Sequence, residues 1–81
     1  MRVQIITPEK ILFEGSASYV QIPGQMGELG VLPNHAPLVS ALKDGEIEVS
    51  LESGGKETFP IDSGIAEVTP DKVTLLVEKS T

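Results

Sequence analysis

Between Gly27 and Leu38 the chain reads Gly-Glu-Leu-Gly-Val-Leu-Pro-Asn-His-Ala-Pro-Leu, a stretch dominated by residues that set backbone shape. Glycine at 27 and 30 admits positive φ or close backbone approach, proline at 33 and 37 fixes φ and removes an amide donor, and Asn34 tolerates the left-handed region. No long regular element fits such a segment. Its spacing predicts one or two tight turns that hold Glu28 and the chain's single histidine, His35, in set positions.

The rest of the chain is punctuated in the same way. Glycine, proline and other turn residues recur every few positions, and the pieces between them are short and rich in Val, Ile, Thr and Phe, which is the pattern of an all-β sandwich or barrel. Val3 to Thr7 reads as a first strand with Val3 and Ile5 on one face. Lys10 to Glu14 reads as a second strand closed by Gly15, and Ser18 to Pro23 as a third with Val20 and Ile22 facing one way. Glu46 to Glu52 alternates polar and apolar without a fault, so one face is wet and the other dry. Ser53-Gly54-Gly55-Lys56 supplies a hairpin loop, and Glu57 to Ile61 returns with Phe59 and Ile61 on a single face. Pro60 lacks an amide hydrogen and belongs at an edge or bulge. Ile65 to Thr69 and Lys72 to Glu78 complete the series. Residues 34–45 are ambiguous by pattern: Asn34 as cap, Pro37 in the first turn, Leu38 and Leu42 four apart and Gly45 beyond suit a short helix as well as a strand.

With 81 residues the chain makes one domain, which buries only about 60% of its unfolded surface. It has no cysteine, so disulfide staples and thiolate metal sites are excluded. Twelve acids against six Lys and Arg give a net charge of −6, the opposite of the clustered positive charge that nucleic-acid binding needs. No apolar run exceeds the length of Ile11-Leu12-Phe13, far below the roughly 20 residues of a membrane-spanning helix. A role at a membrane would require a partner to hold the chain there.

Candidate chemistry is sparse. Glu28 and His35 in one rigid loop could form an acid/base pair, but no nucleophile with a base and an orienting third group accompanies them. Alternatively, His35 is a turn residue whose ring bonds the local backbone, and Glu28 is a charge presented to a partner. Asp62-Ser63-Gly64 imitates the aspartic peptidase triplet, yet the chain after Gly64 is too short for the flap and later segment of such an enzyme, and an Asx turn is the simpler reading. The Ser53–Lys56 loop joins two strands, where a phosphate-binding loop must open a helix. Glu46, Glu48 and Glu52 share a strand face without the oxygen-ligand turn of a calcium site, and read as a solvated face. Ile6, Leu12 and Leu76 fall out of phase with their neighbours; they are covered by bulges or the second sheet, or they form a patch buried against another protein.

The Gly27–Leu38 motif with Lys43-Asp44-Gly45, the opening Val3-Gln4-Ile5-Ile6-Thr7-Pro8 with Phe13-Glu14-Gly15, and Asp62 to Val68 together resemble the epsilon subunit of bacterial and plastid F-type ATP synthases, whose mitochondrial counterpart is called delta. The similarity covers essentially the whole chain. It implies a small flattened antiparallel β-sandwich of about 8–10 short strands, with strand rather than helix at 34–45. It further implies a non-catalytic central-stalk subunit, without cofactor or metal, that binds the gamma subunit and the ring of c subunits and couples proton translocation to ATP synthesis. Residues 27 to 30 (Gly27, Glu28, Leu29, Gly30) with His35 nearby are then the c-ring contact, and Ile6, Leu12 and Leu76 the candidate gamma-contact patch. The expected location is peripheral, on the cytoplasmic face of the bacterial plasma membrane or the stromal face of the thylakoid, and the isolated chain is expected to be monomeric. Typical members continue into a carboxyl-terminal helical hairpin; this chain ends at Thr81, so autoinhibition and ATP binding are not carried over. The competing function class is a generic small β-sandwich interaction or ligand-binding module, which needs a concave aromatic-lined site. One tyrosine, two phenylalanines and no tryptophan offer little for one.

Overall fold

A computed structural model describes residues 1–79; Ser80 and Thr81, the last two positions of the expected 1–81 domain, lie outside the described residues. The described residues form eight strands and no helix: β1 (Arg2–Ile6), β2 (Ile11–Gly24), β3 (Gly27–Val31), β4 (Leu38–Leu42), β5 (Gly45–Leu51), β6 (Lys56–Ile61), β7 (Ser63–Thr69) and β8 (Lys72–Glu78). The hydrogen-bonded order is β1-β8-β7-β4-β2-β5-β6, with β3 added beside β2 and a further β1–β2 pairing. The sheet therefore folds over and closes on itself through β2, giving a flattened body of 30 × 25 × 18 Å. All pairings are antiparallel except β1 with β8.

Alternation of side chains sets the core. Val3 and Ile5 of β1, Val20 and Ile22 of β2, Ile47 and Val49 of β5, Ala66 and Val68 of β7, and Val73, Leu75 and Val77 of β8 all point inward and are buried. No charged or polar residue is buried among the described residues, so the core is held by apolar contact alone. Phe13 and Phe59 pack against its margin, with ring centroids 5.7 Å apart and planes tilted by 56°. The 34–45 ambiguity resolves to strand: β4 pairs along its length with β7, and Leu42 is buried where a strand's alternation puts it.

Two readings of strand boundaries are corrected. The separate strands predicted at 10–14 and 18–23 are one 14-residue strand, β2, running straight through Gly15. Gly15 is not a terminator; a Cβ there would lie 3.1 Å from the Phe13 ring, so glycine admits the aromatic. Two register shifts bend β2. At the first, Leu12 is an extra residue, since Ile5 pairs with Phe13 and Ile6 with Ile11. At the second, Ser18 is extra between Ala17 and Tyr19, and there β2 passes from β1 to β5.

The second correction concerns Gly27–Gly30. These residues are not a tight turn but the body of β3, paired with Gly24 back to Gln21 of β2. The turn is Gln25-Met26 just before it, with Met26 fully exposed. Gly27 has φ 131°, which only glycine adopts easily, whereas a Cβ on Gly30 would strike the Tyr19 hydroxyl. Thus one glycine serves the turn and the other a neighbouring ring. The glycine-rich loop at 53–55 is the predicted hairpin, with positive φ at Gly54 and Gly55, and Pro60 lies on the terminal strand β6.

Candidate functional site: two unlike outer faces

The sandwich presents two faces of different chemistry. On the β1-β8-β7-β4 side, the registers place Ile11 opposite Ile6, Ile6 opposite Leu76, Leu76 opposite Ile65, and Ile65 opposite Ala41. An apolar row thus crosses five strands, roughly 19 Å at ordinary strand spacing. Ile11, Ile65 and Leu76 are each about half exposed, at 54%, 51% and 53%. Val39, two residues before Ala41 on β4, adds to the same face at 68% exposure. Beside the row lies an open depression of about 540 Å³ walled by Ile6, Pro8, Leu42, Ile65, Leu76 and Val77.

The opposite face, made by β3, β2, β5 and β6, is polar and acidic. Glu28, Glu46 and Glu48 surround Gln21. The Tyr19 hydroxyl donates to Gln21 Oε1 at 3.0 Å, and Gln21 Nε2 donates to Glu28 Oε1 at 3.2 Å, so a short relay orients the Glu28 carboxylate. Lys56 Nζ lies 3.4 Å from Glu48 Oε1, an exposed pair of small energetic weight.

Among the described residues no group of three or more His, Asp or Glu could hold a metal ion. What the surface offers is contact area.

The match of one family model extends over residues 1–81, and that model describes the β-sandwich domain of the ATP synthase delta/epsilon chain. The chain belongs to the ATP synthase delta/epsilon family. It is 45% identical over 78 residues to the ATP synthase epsilon chain of Nitratiruptor sp., covering 96% of this chain and 60% of the relative. It is 44% identical to that of Xanthomonas euvesicatoria, covering 96% and 56%, and 38% identical to that of Bordetella petrii, covering 96% and 55%. It therefore spans little more than half the length of these relatives. Among solved structures it resembles a chain of the Euglena gracilis mitochondrial ATP synthase, an OSCP/F1/c-ring assembly, with a TM-score of 0.86 and 26% identity over 93% of this chain and 48% of that one. A chain from the Tetrahymena thermophila mitochondrial ATP synthase shares the fold, with a TM-score of 0.78 and 20% identity over 96% and 63%.

The residues singled out in the sequence fall in different places. Ile6 and Leu76 are cross-strand neighbours in the apolar row, but Leu12, at the first bulge, packs against the core and does not join them. Ile11, Ile65, Ala41 and Val39 were missed; the bulge that turns Ile11 outward leaves no mark in a single sequence. Of the Gly27–Gly30 segment, only Glu28 projects a side chain to solvent, because Leu29 packs on the core. His35 sits in the loop after β3, half-buried, with Nδ1 2.7 Å from the Ala36 carbonyl oxygen, as the turn reading predicted. That loop is fixed by Asn34, at φ 68°, whose amide donates to the Pro70 carbonyl at 2.7 Å. Glu28 and His35 stand on separate elements, and no hydrogen bond joins them among the described residues. Asp62 lies at the β6–β7 corner, its amide donating to the Glu78 carbonyl.

Proposed function

We propose that this chain is a non-catalytic rotor element of an F-type ATP synthase, peripheral to the membrane on its cytoplasmic side, that binds gamma through its apolar outer face and the c-ring through the end carrying Glu28. The observation that supports this most is the Ile11–Ile6–Leu76–Ile65–Ala41 row. Five strands bury apolar residues inward and still present a continuous apolar band outward, which a free-standing sandwich has no reason to keep wet. A rigid body with a protein-docking side, an oriented carboxylate and contact surface in place of catalytic groups suits a part that transmits rotation. The relatives' names and the OSCP/F1/c-ring assembly of the Euglena neighbour point the same way.

The test is calorimetry of the chain with gamma from the same organism. Wild type is expected to bind, and a variant with Ile65→Ser and Leu76→Ser to lose about tenfold or more in affinity while its circular dichroism is unchanged. A well-folded wild type that ignores gamma would sink the rotor reading.

At the other surface, Glu28→Lys is expected to change stability by less than about 0.5 kcal/mol, since the side chain is exposed. In reconstituted membranes it should weaken the coupling of proton flow to ATP synthesis. Unaltered coupling would remove Glu28 from the ring contact.

A further inference from the structure

The apolar depression does not stand alone. It shares Thr7, Pro8 and Glu78 with a second one of about 310 Å³, which is completed by Glu9, Asp62 and Lys79. The first is walled largely by aliphatic side chains; the second holds three carboxylates and one ammonium group. Their common boundary is rigid. Thr7 and Lys10 exchange backbone and hydroxyl hydrogen bonds at 2.8 and 3.1 Å across the Pro8-Glu9 turn, and the Asp62 amide donates to the Glu78 carbonyl at 2.8 Å. Gly64 also lines the first depression, and a Cβ there would lie 2.6 Å from the Leu76 carbonyl oxygen of the paired strand.

From this juxtaposition we infer that the paired depressions are the seat for one segment of gamma in which a short aliphatic stretch is followed or preceded by a lysine or arginine. The aliphatic side chains fill the space between Ile6, Leu42 and Ile65, and the cation enters the acidic half beside Glu9 and Glu78. This rests on the reading that gamma docks on the outer face, and it specifies the chemistry of what docks. Charge complementarity selects the partner: the acidic half keeps an excess of two negative charges, on a chain whose net charge is −6. A segment with acidic neighbours would be repelled, so the pair of depressions also sets the register in which gamma lies along the row.

Two measurements test it. In the first, the affinity of the chain for its own gamma is followed against salt for wild type, for Glu9→Gln with Glu78→Gln, and for Glu46→Gln with Glu48→Gln on the opposite face. The first double variant is expected to bind about threefold or more weaker at low salt and to show a flatter salt dependence, while the second stays within about twofold of wild type. Equal effects of the two variants would mean that only net charge matters. That result, or no effect of either with binding still lost in Ile65→Ser and Leu76→Ser, would overturn the seat and leave gamma docking intact. In the second, a photoreactive side chain at position 65 is crosslinked to gamma and the product is sequenced. An aliphatic stretch next to Lys or Arg is expected; a segment lacking a basic residue would overturn the proposal. Absence of gamma binding by wild type removes both readings together. Self-association of the free chain that Ile65→Glu abolishes, without gamma binding, would assign the seat to a second copy instead.

Discussion

Leu75→Ala is expected to lower the free energy of unfolding by about 2–5 kcal/mol, enough to unfold much of the population of a domain this small. Leu75 is completely buried on β8, opposite Ile5 on one side and Ala66 on the other. Removing its side chain leaves a cavity between the two layers of the folded sheet, which cannot collapse freely. The adjacent change Leu76→Ala removes the same atoms from a half-exposed side chain, so most of that loss is absent and the cost should stay near or below about 1 kcal/mol. Urea titrations of the two variants beside wild type measure the contrast directly. Equal destabilisation would mean that Leu76 is not on the outer face.

Gly64→Val is the second change with a large expected effect. A Cβ at position 64 would lie 2.6 Å from the Leu76 carbonyl oxygen and 3.1 Å from the Val77 Cα. Those are main-chain atoms of the paired strand, and they cannot swing aside as a side-chain tip can. The valine must push β7 off β8 at the Gly64–Val77 pair, and a cost of about 1–3 kcal/mol or more follows from forcing extra volume into close-packed structure. The lesion should be local as well as global: amides from 63 to 66 and from 75 to 78 should lose hydrogen-exchange protection before the rest of the sheet. Uniform protection loss would show that the crowding is relieved elsewhere. Because Gly64 also lines the apolar depression, a folded remnant of this variant should bind gamma less well.

The strands that alternate cleanly were legible in the sequence. β5 reads polar and apolar in turn, its hairpin to β6 is marked by two glycines, and Val3, Ile5, Val20 and Ile22 lie inward as their spacing requires. Boundaries were misread where glycine serves a neighbour instead of the chain's own conformation. Gly15 makes room for Phe13 and Gly30 for Tyr19, and neither ends a strand, but a glycine needed for space looks the same in sequence as one needed for φ. The candidate docking face was half legible for a related reason. Leu76 and Ile6 stand out against alternation, yet the extra residue at Leu12 reverses the phase of β2, sending Leu12 toward the core and Ile11 outward. A bulge is a relation between two strands, and a periodicity read along one strand has no access to it. Glu28 was recognised as a presented charge, while the device that orients it, Tyr19 through Gln21, joins β2 to β3 and became visible only when the strands were paired.

The continuity of β2 has a mechanical consequence. In a sandwich whose layers are joined only by loops, a sideways load on one face is resisted by methyl groups that slide past one another, and the layers creep. Here the same strand is zipped to β1 near its start and to β3 and β5 farther along, and Gly24 at its end meets Leu42 of β4. A shear force applied at Leu76 and opposed at Glu28 passes from β8 through β1 to β2 and on to β3, and yielding would require whole ladders of backbone hydrogen bonds to break in concert. Such a body is expected to pass a small displacement from one face to the other with little of it absorbed in between.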